Sequence, residues 1–161
     1  MKITICGSID FTEKIKEIAD ILSAKGHIVE IPLSAQKILN GEMSLKDYLS
    51  AKQKGGDIFF REKVKEDVIK RYYRIIGESD AILVVNIAKK GIENYIGGSV
   101  LMEIGFAYVL GKKIFLLNSI PEISYKDEIQ FMKPIILNGD LEEIIKWRSR
   151  ACRASSVRSR V

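Results

Sequence analysis

The sequence contains few of the residues that build metal sites and disulfide frameworks. Among its 161 residues are two cysteines, Cys6 and Cys152, and one histidine, His27. Two cysteines are too few for a disulfide framework, and together with one histidine they form no zinc-binding pattern. We therefore expect no metal site, and we expect His27, which lies between a helix end and a strand, to be structural.

Long apolar runs and a signal peptide are also missing. No apolar run approaches the roughly 20 residues that a membrane-spanning helix needs. The apolar part of the first seven residues is too short for a signal peptide and is typical of a first β-strand. With 47% hydrophobic and 29% charged residues, the chain is predicted to be one globular domain that works in the cytoplasm and has no membrane partner.

Acidic residues are absent from the carboxyl-terminal segment, although the formal net charge of the whole chain is only +5. Five of the 26 basic residues are arginines that follow Trp147, so residues 1–147 hold 21 basic and 21 acidic side chains. We expect residues 1–147 to form the domain and residues 148–161 to be a disordered basic tail or a remnant of an expression vector. A tail that binds nucleic acid is the alternative, although the neutral domain gives no reason to expect such a partner.

Strand-like and helix-like segments alternate along the domain. The predicted strands are Lys2–Cys6, His27–Ile31, Ala81–Val85, Lys113–Leu117 and Pro134–Leu137, and the predicted helices are Phe11–Ala24, Leu45–Lys52, Glu62–Gly77, a segment that ends at Gly111, Lys126–Met132 and Leu141–Trp147. This alternation predicts an α/β fold whose five-stranded parallel sheet is covered by helices on both faces. The weakly patterned connection from Leu33 to Phe60 is of the kind that forms a lid or an interface, and Phe59 and Phe60 either stack on a base or belong to the core.

Glu103 is the only charged residue between Tyr95 and Gly111. The apolar residues around it predict a largely buried helix, with residues 97–99 as the turn and cap ahead of it. Glu103 is then expected near the first turn. A carboxylate there either meets the unsatisfied amides of the helix start or is held for chemistry, because burying an unpaired charge is costly.

Glycines and polar residues follow the predicted strands at the edge where such folds bind ligands. Gly7 and Ser8 follow the first strand, Asn86 follows the third, and Gly97-Gly98-Ser99 lead into the Glu103 helix. Backbone amides beside such glycines can hold a phosphate or another oxyanion. The sequence contains neither Gly-x-Gly-x-x-Gly nor a P-loop, so purely structural turns are the alternative.

Three segments carry a resemblance to a known family. They are Ile5-Cys-Gly-Ser-Ile9, Ser79-Asp-Ala-Ile-Leu-Val84, and Gly98 to Ala107 with its Glu-Ile-Gly-x-Ala element, followed by Gly111-Lys-Lys-Ile. Together they resemble the nucleoside 2-deoxyribosyltransferase family, including its branch of 2'-deoxynucleoside 5'-phosphate N-hydrolases. The likeness extends from Lys2 to about Met132. It implies a flavodoxin-like (Rossmann-like) fold and a homodimer or higher homo-oligomer whose subunits complete each other's sites.

The resemblance also implies an activity and its residues. Glu103 matches the nucleophile that attacks the anomeric carbon of a (deoxy)nucleoside or its 5'-monophosphate, so that the base is hydrolysed off or exchanged without metal or cofactor. The resemblance also places Ser8 and Ser99 near the sugar or the phosphate. Together with the residues at the sheet edge, the expected substrate-binding residues are Cys6, Gly7, Ser8, Asn86, Gly97, Gly98 and Ser99.

Three positions depart from the family pattern. Tyr72 and Gly97 stand where members carry further acids, and Asp10 stands where the hydrolase branch carries an arginine. The leaving base then needs another proton donor. Asp80 is the catalytic candidate, with Tyr72 and Tyr95 beside it, although an aspartate at a strand start can also cap or orient a loop.

Two classes of function follow from the sequence. The first is cleavage of an N-glycosidic bond, with nucleotide hydrolysis favoured over base exchange because the glycine turns suit a phosphate. Lys89 and Lys90 are candidate phosphate partners, or else solvated side chains of a polar loop. The second is a nucleotide-binding sensor that has the pocket without the chemistry. A phospho-acceptor receiver domain is disfavoured because no acidic pair follows the first strand.

Overall fold

The computed structural model describes residues 1–53 and 67–146. The ring stacking expected of Phe59 and Phe60, the first turn of the helix predicted from Glu62, and the basic tail lie outside these residues. The strands are β1 (Lys2–Gly7), β2 (Ile28–Glu30), β3 (Ala81–Val85), β4 (Lys113–Leu116) and β5 (Ile135–Ile136). The helices are α1 (Thr12–Ala24), α2 (Leu33–Leu39), α3 (Leu45–Gln53), α4 (Val68–Gly77), α5 (Gly98–Val109) and α6 (Lys126–Phe131), with a 3-10 turn at Ile9–Phe11 and helical residues at 142–146.

The strands form one parallel sheet in the order β2-β1-β3-β4-β5. Cys6 pairs with Val84 and Gly7 with Val85, so β1 and β3 end side by side. Strand β2 lies on one side of β1, and β3, β4 and β5 follow on the other side of β1. The strand order therefore reverses between β1 and β3, which is the switch point of the topology. The predicted flavodoxin-like five-stranded parallel sheet is confirmed.

Alternating strand residues build two cores, one on each face of the sheet. Ile3 and Ile5 of β1 face the layer that contains α1, whereas Cys6 faces the layer that contains α5. Every residue of β3 is buried, as expected for a central strand covered on both faces. The same alternation that builds the cores therefore directs the Cys6 side chain towards the helix that carries Glu103.

The connection after β2 contains a helix that the sequence did not indicate. Helix α2 begins directly after Pro32, whose carbonyl accepts the first helical hydrogen bond from the Gln36 N–H at 2.9 Å. It spans seven residues, which is too short for an apolar periodicity to be recognised.

Within the described ranges, no helix has both the length and the apolar content to cross a membrane.

Candidate active site

A pocket of about 250 Å³ opens at the carboxyl edge of the sheet, beside the ends of β1 and β3. Its volume lies just below the range of small-molecule sites, which begins at roughly 300 Å³. Six of the residues expected at the site line it together: Gly7, Ser8, Gly97, Gly98, Ser99 and Glu103. The pocket therefore lies at the switch point, where doubly wound sheets bind their ligands.

The glycines of the pocket have different physical roles. A Cβ on Gly7 would lie 3.2 Å from Ile15 Cδ1 and 3.4 Å from the Val85 carbonyl oxygen, so a larger residue there would fit only if the Ile15 side chain shifted. A Cβ on Gly98 would have no atom within 4 Å. Gly98 therefore leaves open space at the start of α5, where the first amides of a helix have no partner within the helix.

The start of α5 corrects two details expected from the sequence. Gly97 is the N-cap and makes no side-chain cap, and Ser99 lies inside the first turn rather than ahead of the helix. The first turn contains no acidic residue, because Glu103 lies in the second turn. Glu103 is therefore not a first-turn carboxylate that serves the helix dipole.

Glu103 is a largely buried carboxylate with an unsatisfied oxygen. Its Oε2 atom is inaccessible to solvent and has no hydrogen-bond partner among the described residues. Burial raises the pKa of Glu103 to about 7, although hydrogen bonding with the Cys6 thiol opposes this shift. A group that titrates near neutral pH inside a pocket is a candidate for chemistry, because burial without a partner is otherwise unfavourable.

Cys6 and Tyr72 surround Glu103 with neutral donors. Burial raises the pKa of the Cys6 thiol, and the nearby charge of Glu103 raises it further. Burial also raises the pKa of Tyr72, as do the charges of Glu103 and Cys6, against a hydrogen bond with the Leu33 backbone. Both side chains therefore stay protonated at neutral pH. Tyr72 lines the pocket, where its phenol can act as a hydrogen-bond donor.

Lys89 reaches the pocket from the loop after β3. Its Nζ donates to Ser8 Oγ at 2.6 Å and forms an ion pair with Asp10. Ser8 Oγ in turn donates to Asp10 Oδ2 at 2.7 Å. The neighbouring Lys90 is exposed and does not line the pocket. Of the two lysines considered as phosphate partners, only Lys89 is near the site, and a carboxylate already holds it.

Asp80 and Asn86 lie outside the pocket. Asp80 precedes β3 at the opposite edge of the sheet, where its Oδ2 accepts the Lys2 N–H at 2.8 Å. Asn86 is fully buried, and its amide group bonds the backbone of Asn118 and Ser119 at 2.9–3.2 Å. Asp80 thus orients a strand start, and Asn86 joins the loops after β3 and β4. The structure does not bring either of them to Glu103.

Comparisons of the chain with protein-family models, with curated proteins and with solved structures find no match. Among the described residues, no three His, Cys, Asp or Glu side chains are grouped so that they could hold a metal ion.

Proposed function

We propose that the protein cleaves the N-glycosidic bond of a nucleoside or nucleotide, with Glu103 as the nucleophile. The observation that carries the proposal is a largely buried carboxylate, without a partner for Oε2, that lines a pocket of about 250 Å³ at the switch point. Breaking such a bond gives the anomeric carbon an oxocarbenium character, which a positioned carboxylate can stabilise or trap. The sequence resemblance at Glu-Ile-Gly-x-Ala supports the same role for this residue.

The reaction proceeds in two displacements. A carboxylate oxygen of Glu103 forms a bond to C1' while the bond from C1' to the base nitrogen breaks and the base leaves with that electron pair. Water or an acceptor base then attacks C1', the ester bond breaks, and the Glu103 carboxylate is regenerated. Two displacements retain the configuration at C1'.

The leaving base is assisted by a neutral donor. Tyr72 lines the pocket and stays protonated, so it is suited to donate a hydrogen bond to the departing base or to the sugar. The raised pKa of the phenol means that the proton gained by the base comes finally from solvent. In the family that the sequence resembles, a second acid assists the leaving base, and Tyr72 takes over part of this role here.

Base release from a panel of substrates tests the proposal. Ribo- and deoxynucleosides and their 5'-monophosphates are incubated with the protein, with and without an acceptor base, and the products are separated by chromatography. We expect free base to appear from at least one deoxy compound. If the acceptor base increases the release of free base, the reaction is transfer, whereas release of free base without an acceptor identifies hydrolysis.

A nucleotide-binding sensor is the second candidate. Glu103 is the one carboxylate among the described residues that line the pocket. These residues therefore do not include the further acids that occur in the family that the sequence resembles. Thermal stabilisation by a nucleotide that is recovered intact, with no base released from any compound, would favour the sensor over the enzyme.

We further propose that a second copy of the chain covers an apolar face beside the pocket. The face consists of Ile69 and Tyr73 of α4 and Met102 and Val109 of α5, which are 37–80% exposed. Tyr73 packs edge-on against Phe106 at 5.4 Å, which keeps the two helices together. Because Ile69 and Met102 also line the pocket, a copy seated there would reach its mouth.

Replacing Val109 with aspartate should convert this dimer into a monomer, because the new charge would be buried at the interface. Sedimentation velocity measures the change. Phe131→Asp is the matched control, since Phe131 is also highly exposed but lies on α6. A monomeric unmodified protein, or equal sedimentation of all three proteins, would refute the dimer.

A further inference from the structure

Ser8, Asp10 and Lys89 form a closed polar cluster beside the pocket. Lys89 Nζ contacts both Ser8 Oγ and the Asp10 carboxylate, and Ser8 Oγ donates to the same Asp10 oxygen. The cluster is partly shielded from water, since the side chains of Lys89 and Asp10 are 19% and 30% exposed. Ser8 and Lys89 line the pocket directly. Residues that a ligand would use are therefore already bound to one another.

The cluster leaves the pocket without an uncompensated positive charge. Among the described lining residues, Lys89 is the one basic side chain. Partial burial by itself raises the pKa of Asp10, but the hydrogen bonds from Lys89 and Ser8 outweigh it and lower the pKa below its usual value. Asp10 is thus ionised at neutral pH and neutralises Lys89. Glu103 adds a further negative charge whenever it is ionised.

A phosphate and a hydroxyl would meet this cluster differently. With C1' held at Glu103, a 5'-phosphate that extends towards Ser8 and Lys89 would either displace Asp10 from Lys89 or lie beside a like charge. A 5'-hydroxyl brings no charge, and the Asp10 carboxylate is an acceptor for its proton. The site then discriminates between the two ligands because the Asp10 carboxylate repels the phosphate and accepts a hydrogen bond from the hydroxyl.

We propose that Asp10 is a specificity-determining residue that makes the site select an unphosphorylated nucleoside over its 5'-monophosphate. The inference rests on the proposed function, and it reverses the preference for a nucleotide that the glycine turns alone indicated. Lys89 then serves to hold Asp10 and Ser8 in place rather than to bind phosphate.

The test compares kcat/KM for one deoxynucleoside and for its 5'-monophosphate at about pH 8, where the phosphate is a dianion. We expect the unmodified protein to prefer the nucleoside by about tenfold or more. Asp10→Asn keeps the shape and removes the charge, and it should reduce this preference by about tenfold, mainly through better use of the monophosphate. Asp80→Asn is the matched control, because it removes an acid at the opposite edge of the sheet, and it should leave the preference unchanged.

Dissociation constants from calorimetry make the inference testable without catalysis. If no compound releases base, the proposed reaction fails, and the ratio of the two dissociation constants in the unmodified protein and in Asp10→Asn replaces the kinetic ratio. The inference is overturned if the monophosphate is used or bound as well as the nucleoside, if Asp10→Asn leaves the ratio unchanged, or if neither compound binds.

Discussion

Replacing Glu103 with glutamine should reduce base release by about 10³-fold or more, because the amide keeps the size of the side chain but cannot attack C1'. The variant should still bind substrate, so the loss is expected in kcat and not only in KM. Glu93→Gln is the matched control, since Glu93 is exposed and does not line the pocket. An active Glu103→Gln variant would remove this residue from the chemistry.

The same role predicts how the activity of the unmodified protein depends on pH. Burial raises the pKa of Glu103 to about 7, and only the ionised form attacks C1'. We therefore expect kcat/KM to rise about tenfold per pH unit below this pKa and to level off above it. A nucleoside is the substrate for this measurement, because a phosphate group also loses a proton at about pH 6.

The Glu103→Gln variant should also be more stable than the unmodified protein at about pH 8, by up to about 3 kcal/mol in the free energy of unfolding. The pKa of Glu103 is raised from 4.5 in the reference state to about 7 in the folded state, so folding disfavours the ionised form. The penalty is absent below the unfolded pKa, grows as the pH rises between the two values, and is complete above the folded pKa.

Urea unfolding of both proteins across this pH range measures the effect. The stability difference should vanish at about pH 4, where Glu103 is protonated in both states, and it should be largest at about pH 8. Glu93→Gln should show no such gain, because its carboxylate is exposed. A difference that does not change with pH would mean that Glu103 is not ionised at a cost in the folded protein.

The two expectations for Glu103 have one physical origin. A carboxylate with one buried oxygen that lacks a partner destabilises the fold when it is ionised, and the same side chain lines the pocket, where a substrate can reach it. Proteins accept such a cost mainly at functional sites. If the Glu103→Gln variant is both more stable and less active than the unmodified protein, the two results together support the role of Glu103 more strongly than either result alone.

The fold could be predicted because its signals are local. The buried run of β3 and the helical spacing of α1 are properties of short segments, and the rule that places ligands at the switch point then located the pocket. Glu103 stood out because no other charge lies near it in the sequence. Helix α2 was missed because it is too short for its pattern to be recognised.

Contacts between distant segments could not be predicted. Lys89 and Asp10 are 79 residues apart, and nothing local indicates that they form an ion pair. The partners of Asn86 lie 32 and 33 residues away, so its structural role was equally hidden. The position of Asp80 was open to prediction, because a residue before a parallel strand lies at the amino edge, away from the ligand site.

Mass spectrometry of the intact protein after rapid acid quenching tests the central claim most directly. The protein is mixed with a deoxynucleoside that the panel shows to be cleaved, or with each deoxy compound in turn if none is. We predict an adduct with the mass of one deoxyribosyl group, located by peptide mapping on Glu103 and absent from Glu103→Gln. An adduct on another residue, or intact substrate with no adduct in either protein, would contradict a nucleophilic role for Glu103.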